Sequence, residues 1–83
     1  MKVKVGLVQM SCTENKQSNI TKAEEQIRKA AAEGANIVCL QELFASLYFC
    51  DVEDYANFDL AEAIPGSTTE RLSVLAKELS VVI

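Results

Sequence analysis

The sequence predicts an α/β fold in which parallel strands alternate with helices. Residues 2–10 and 37–40 have the composition of short strands, and the second segment is apolar on both faces, as in a central parallel strand. An amphipathic helical pattern separates them, and a second one leads into a third apolar segment at residues 80–83. This order predicts consecutive βαβ units, whose crossovers are expected to be right-handed.

The first predicted strand has two different faces. One face is apolar throughout and consists of Val3, Val5 and Leu7. The other becomes apolar only at Val8 and Met10. We expect both helices to cover a single face of the sheet and to leave Val8, Met10 and part of Ile37–Leu40 uncovered. A second layer would then come from residues outside this chain or from another chain.

Both predicted helices have recognisable ends and one apolar side. Asn15 or Ser18 can cap the first helix, and Gly34 supplies a left-handed stop after it. The apolar stripe of this helix consists of Ile20, Ala23, Ile27, Ala30 and Ala31. In the second helix, Ser67 and Glu70 have the spacing of a capping box. Its stripe consists of Leu72, Leu75, Ala76 and Leu79.

Composition excludes several classes of function. The formal net charge is −4 with no basic stripe, which argues against nucleic-acid binding. The longest mainly apolar stretch, residues 43–50, is far shorter than the ~18 residues of a membrane span. The chain contains no histidine and no CxxC pair, so a metal site is not expected. The unpaired cysteine usage and the lack of a signal-like segment predict a cytoplasmic protein.

Glu42 follows the second predicted strand almost directly. In open α/β sheets, ligands bind at the carboxyl ends of the strands, which is where this carboxylate falls. Its sequence neighbours are mainly apolar or aromatic, so we expect it to be poorly solvated, with a protonation state that is easily tuned. From position alone, a solvated loop carboxylate or a turn residue that bonds the backbone is the more frequent outcome.

Residues 41–50, with the sequence QELFASLYFC, resemble the first catalytic motif of the nitrilase superfamily of carbon–nitrogen hydrolases. Residues 5–10, 32–36 and 59–66 are similar, in order, to the family's first strand, to the turn before its second strand and to the segment before its second helix. The resemblance spans the whole chain. Within the family it is greatest to the branch that hydrolyses N-carbamoyl amines such as N-carbamoylputrescine, a reaction of polyamine biosynthesis.

The resemblance implies a four-layer αββα sandwich, of which this chain would be the N-terminal βαβαβ part. Residues 1–83 would then be the N-terminal portion of a single hydrolase domain. The absence of any closing element after residues 80–83 favours the same interpretation, a truncated chain. Family members commonly associate, so the full-length protein is expected to be a homo-oligomer. No cofactor and no metal are implied.

The resemblance also implies a Glu-Lys-Cys catalytic triad. Glu42 matches the family's glutamate, the general base that takes the proton of the cysteine thiol. The family's lysine and cysteine lie well downstream, and no position of this chain matches either. Lys77 is expected to be a solvated helix residue. Three cysteines are present, and none is expected to be the nucleophile: Cys12, Cys39 and Cys50. Cys39 lies inside the second predicted strand and is expected to be a small core side chain.

Other residues near Glu42 have weaker assignments. Tyr48 can form a wall of the substrate pocket, or it can simply pack the segment in which it lies. Phe44 is expected to be structural. Gln41 and Leu47 stand where the wider family usually has proline and glycine, and both departures suit the N-carbamoyl amine branch.

The favoured hypothesis is an amidohydrolase that cleaves a linear, non-peptide C–N bond of an N-carbamoyl amine. An N-carbamoyl-β-amino acid is the alternative substrate. A different class of function also stays open for the chain as it stands, namely a catalytically inactive fragment or assembly module. A mononucleotide-binding βαβ domain is disfavoured because no glycine-rich phosphate loop follows either strand.

Overall fold

The computed structural model describes residues 1–49 and 54–83. Strand β1 is Val5–Val8, helix α1 is Lys16–Ala32 and strand β2 is Ile37–Leu40. A 3₁₀ helix at Tyr55–Leu60 precedes helix α2, which is Ser67–Leu79. The predicted α/β order is confirmed for these residues.

Strands β1 and β2 pair in parallel, and their register brings Val5 opposite Ile37 and Val8 opposite Leu40. The chain after α2 joins the free side of β2 through one parallel bridge. In it, Val38 N donates to Val82 O over 2.7 Å, and Val82 N donates to Asn36 O over 3.0 Å. The start of the predicted third strand is therefore present at residue 82, and β2 is central.

Helix α1 forms where its sequence pattern predicts. Asn15 is the cap, because its side chain accepts a hydrogen bond from Ser18 N over 2.9 Å. Gly34 has a φ of 98° just after the helix, which confirms the predicted left-handed stop. The predicted stripe is confirmed as well, since its members Ile20, Ala23 and Ile27 are buried.

The prediction of which sheet face is left uncovered was wrong. Val8 and Val38 are buried in one cluster with Ile27 and Leu75, so the helices cover the face that was expected to stay open. Gly6 explains why the helices cover this face of the sheet. A Cβ at Gly6 would lie 3.0 Å from the Ala30 Cβ, so the missing side chain lets α1 approach that face closely.

The opposite face of the sheet is open in the described part of the chain. Leu7 is 80% exposed and Val5 is 53% exposed, and Ile37 and Cys39 are exposed beside them. Cys39 was expected to be a small core side chain, and that expectation is wrong for these residues. The alternation along each strand places it on the open face.

The N-terminus of α2 is capped by Glu62 and not by the predicted Ser67–Glu70 box. Thr68 N donates to Glu62 Oε1 over 2.9 Å, and the hydroxyl groups of Ser67 and Thr68 donate to the same carboxylate. Lys16, at the start of α1, forms an ion pair with Glu62 over 2.5 Å. The bonds from Lys16 and Thr68 hold the pKa of Glu62 well below its usual range. One carboxylate thus joins the beginnings of both helices.

Among the described residues, no helix is both long enough and apolar enough to cross a membrane.

The pKa of Glu62 predicts an acid-dependent contribution to stability. A carboxyl whose pKa is lowered by folding contributes its full stabilisation above its unfolded pKa of about 4.3, and the contribution declines as the pH falls from that value towards the lower pKa of the folded state. In the full-length protein, Glu62→Gln should therefore lower the melting temperature at pH 7 and have a smaller effect near pH 3.5. Glu70→Gln, in the first turn of the helix that Glu62 caps, is the control. An equal effect of Glu62→Gln at both pH values would contradict the assignment.

Candidate functional site

Glu42 lies two residues past the end of β2, as the sequence predicts. The last paired residues of the two strands are Val8 and Leu40, so β1 ends at the same edge of the sheet. The Glu42 side chain is exposed. The expected poorly solvated surroundings are therefore not formed by the residues described here.

The side chain of Gln41 joins the two chain segments that leave this edge. Its Oε1 accepts a hydrogen bond from Met10 N over 2.7 Å, and its Nε2 donates to Leu43 O over 3.2 Å. The two partners fix the orientation of the amide, because only the oxygen can accept from a backbone N–H. Gln41 therefore bonds to the chain after β1 and to the backbone on the far side of Glu42.

Cys12 adds weaker contacts to the same junction. Its Sγ donates to Phe44 O over 3.3 Å and to Leu43 O over 3.8 Å, and Gln41 Nε2 donates to this sulfur over 3.7 Å. The thiol is only half-buried. Each of these sulfur bonds is weak, but two of them reach the backbone carbonyls of Leu43 and Phe44, the two residues that follow Glu42.

Asn19 holds the next part of the same loop from helix α1. Its Oδ1 accepts from Thr13 N over 2.7 Å, and its Nδ2 donates to Thr13 O over 2.8 Å and to Ala45 O over 3.0 Å. The side chain is 1% exposed. Because both its oxygen and its nitrogen are hydrogen-bonded, this buried amide fixes the loop against the first turns of α1.

A hollow of about 310 Å³ opens beside Glu42, and its lining includes Tyr48, Leu47, Leu43, Gln41 and Cys12. The structure thus brings both predicted site residues, Glu42 and Tyr48, to one depression. Tyr48 is 66% exposed. Phe44 instead lines a larger hollow of about 930 Å³ together with Phe49, Tyr55 and Phe58, in which Glu42 takes no part. The larger hollow is thus not the one that contains the predicted base.

Two of the remaining candidates, Lys77 and Cys39, do not lie at this site. Lys77 is exposed on α2, and Cys39 is exposed on the open face of the sheet. Cys50 lies outside the described residues. Within residues 1–49 and 54–83, no group of three or more His, Cys, Asp or Glu side chains could hold a metal ion.

The two amides that hold the site were not predicted from the sequence. Gln41 was noted only as a departure from the family's proline, and Asn19 was not singled out. Both had a signal, because Asn19 is a polar residue beside the apolar stripe of α1 and Gln41 directly follows a buried strand. A polar side chain that is buried at such a position almost always has specific hydrogen-bond partners.

Comparison with known proteins shows the family to which the chain belongs. The profile of the family described as carbon-nitrogen hydrolase matches residues 4–83. The chain is 46% identical over 83 residues to an N-carbamoylputrescine amidase of Oryza sativa subsp. japonica, covering 99% of this chain and 28% of the relative. It is 43% identical over 82 residues to an N-carbamoylputrescine amidase of Solanum lycopersicum, covering 98% of this chain and 27% of the relative.

A bacterial relative has a different name. The chain is 38% identical over 82 residues to a citrullinase of Francisella tularensis, covering 98% of this chain and 29% of the relative. The family match includes all but the first three residues, so the chain belongs to the carbon–nitrogen hydrolase family. It spans little more than a quarter of the length of these curated relatives.

The bonds of Asn19 predict a pH-dependent effect of Asn19→Asp in the full-length protein. The variant keeps an acceptor for Thr13 N but places a carboxylate oxygen against the carbonyls of Thr13 and Ala45, at a cost of about 1–3 kcal/mol. Contact with these carbonyls raises the pKa of the introduced carboxyl above its unfolded value of about 3.9. The loss of stability should therefore be smallest below pH ~4 and grow as the pH rises.

Urea denaturation at pH 4 and at pH 7 measures this effect. Gln26→Glu, the same amide-to-carboxylate change at an exposed position on α1, is the matched control. Equal stability of Asn19→Asp and Gln26→Glu at pH 7 would show that the Asn19 bonds do not hold the loop.

Proposed function

We propose that the full-length protein is an amidohydrolase that cleaves a linear, non-peptide C–N bond of an N-carbamoyl amine, with N-carbamoylputrescine as the favoured substrate. The observation that carries this proposal is the position of Glu42. It lies at the carboxyl end of β2, beside a hollow, in a chain that belongs to the carbon–nitrogen hydrolase family. The names of the plant relatives support the choice of substrate.

In the proposed mechanism, Glu42 is the general base of a Glu-Lys-Cys triad. Its carboxylate takes the thiol proton of the catalytic cysteine, and the resulting thiolate attacks the substrate's carbonyl carbon. The proton leaves with the departing ammonia. Glu42 then takes a proton from the water that releases the acyl or carbamoyl group from sulfur, and it returns this proton to the departing thiolate. The lysine stabilises the oxyanion in both steps.

The cysteine and the lysine belong to the rest of the full-length protein in this proposal. The 83-residue chain by itself is accordingly expected to be inactive. A general base needs its thiol partner within hydrogen-bond reach. In the described residues, the Cys12 thiol beside the hollow bonds to Leu43, Phe44 and Gln41 instead of Glu42.

We extend the proposal to the fold, the cellular location and the oligomeric state of the full-length protein. The uncovered apolar face with Val5, Leu7 and Ile37 suits a second sheet packed against this one, as in an αββα sandwich. We propose that residues 1–83 are the N-terminal portion of that single domain. We further propose that the full-length protein acts in the cytoplasm as a homo-oligomer without a cofactor.

Ammonia release from a panel of substrates tests the proposed specificity. The full-length protein should show its highest kcat/KM on N-carbamoylputrescine, with lower values on an N-carbamoyl-β-amino acid and on citrulline. A preference for citrulline would replace the favoured substrate and keep the reaction class. No ammonia from any of these compounds or from a linear amide would overturn the proposed function.

Glu42→Gln should lower kcat/KM by a factor of about 10²–10⁴, because the amide cannot take the thiol proton. Folding should be unaffected, since the side chain is exposed and the substitution nearly isosteric. Glu25→Gln, the same change at an exposed position on α1, is the control and should leave turnover unchanged. Near-normal hydrolysis by the Glu42 variant would exclude this residue as the base.

Tyr48 is proposed as a wall of the substrate pocket. In the full-length protein, Tyr48→Ala should raise KM because the ring's contact area is lost, whereas Tyr48→Phe should keep KM within about twofold. Steady-state kinetics on N-carbamoylputrescine measure both values. Unchanged KM in Tyr48→Ala would show that the ring only packs its own segment.

A further inference from the structure

We propose that Gln41 is a positioning residue for the general base, acting through the backbone on both sides of Glu42. This inference rests on the proposed function, because it assumes that the Glu42 carboxylate does the chemistry. It does not assign Gln41 any contact with the substrate. The residue works by fixing where the Glu42 main chain leaves the sheet.

The main-chain ladder between the two strands ends just before the site. Val8 and Leu40 are its last paired residues. Beyond them, the N–H of Met10 bonds to the side chain of Gln41, at 2.7 Å. The side chain thus adds one more link between the two segments after the strand pairing has stopped.

The second bond of Gln41 closes a ring around Glu42. Nε2 donates to Leu43 O over 3.2 Å, so the amide spans from the residue before Glu42 to the residue after it. This bond is a local side-chain-to-backbone contact of the kind that fixes turn geometry. The Glu42 backbone is therefore held on both sides, while its carboxylate stays exposed.

Partial burial of Gln41 and Met10 makes the hydrogen bond between them costly to lose. Gln41 and Met10 are both partly buried, so losing the amide would leave the Met10 N–H without a partner in a partly desolvated place. In the described residues, the Glu42 side chain makes no hydrogen bond. Its position there depends on the bonds that Gln41 makes to the neighbouring main chain. A displacement of about 1 Å at a reacting group can reduce turnover by about 10²-fold.

The test compares three variants of the full-length protein. Gln41→Met keeps the length of the side chain and removes its hydrogen bonds with Met10 N and Leu43 O, together with the weaker one to Cys12 Sγ. Gln41→Glu keeps an oxygen to accept from Met10 N and loses the donor to Leu43 O. Gln26→Met makes the first change at an exposed position on α1. For each variant, kcat, KM and the melting temperature are measured. The kcat values are taken at the high-pH plateau, where Glu42 is ionised in spite of the negative charge that Gln41→Glu introduces beside it.

Gln41→Met should lower kcat about 10- to 100-fold, with KM within about twofold of the parent value. Gln41→Glu should recover a large part of that loss, and Gln26→Met should match the parent. Equal losses in Gln41→Met and Gln41→Glu would show that the bond to Met10 does not position the base. A lower melting temperature with parental kcat would reduce Gln41 to a structural residue and overturn the proposal. If Gln41→Met does not fold, Gln41→Ser, which is too short to reach Met10, replaces it.

Glu42→Gln, measured in parallel, separates this inference from the proposed function. An inactive Glu42→Gln together with a fully active Gln41→Met overturns only the role of Gln41. Normal turnover by Glu42→Gln overturns the assignment of Glu42 as the base and, with it, the role of Gln41. Only the absence of ammonia release by the parent protein overturns the proposed function itself, whatever the Gln41 variants show.

Discussion

The parallel register of β1 and β2 is the constraint on which the other features depend. Because Val8 pairs with Leu40, both strands end at one edge, and the chain segments that follow them lie side by side. The same register places Gly6 and Val8 on the face that α1 covers, where Ala30 approaches the glycine closely. A slip of one residue would exchange the two faces of a strand and would also move Glu42 away from the end of β1.

Two side-chain amides link neighbouring chain segments beyond the point where the backbone pairing of the sheet stops. Gln41 bonds to the residue after β1, and Asn19 bonds from α1 to the loop four residues further along. Both are buried at least in part, and in the described residues no buried side-chain polar atom lacks a partner. The exposed carboxylate of Glu42 is therefore carried by a loop whose backbone is fixed from two sides.

Local patterns in the sequence were sufficient for the elements and for the position of Glu42. The Asn15 cap, the Gly34 stop and the apolar stripe of α1 depend on residues a few positions apart, and all are found. The features that were missed join distant residues. Gln41 meets Met10 across 31 positions. Asn19 meets Ala45 across 26. The α2 cap likewise comes from Glu62, outside the predicted box. The covered face of the sheet was also missed, because both faces of β1 carry apolar residues and the packing partners of Gly6 become visible only after folding.

The open face of the sheet bears on how this part of the protein behaves in isolation. Val5, Leu7 and Ile37 present adjacent apolar side chains to water, next to a β1 edge that has no strand partner among the described residues. An apolar surface beside an unpaired strand edge is a template for self-association. A trimmed protein that ends near residue 83 should therefore aggregate on concentration. In the proposed full-length domain, the same surface would be open to chaperones during synthesis until a second sheet packs against it.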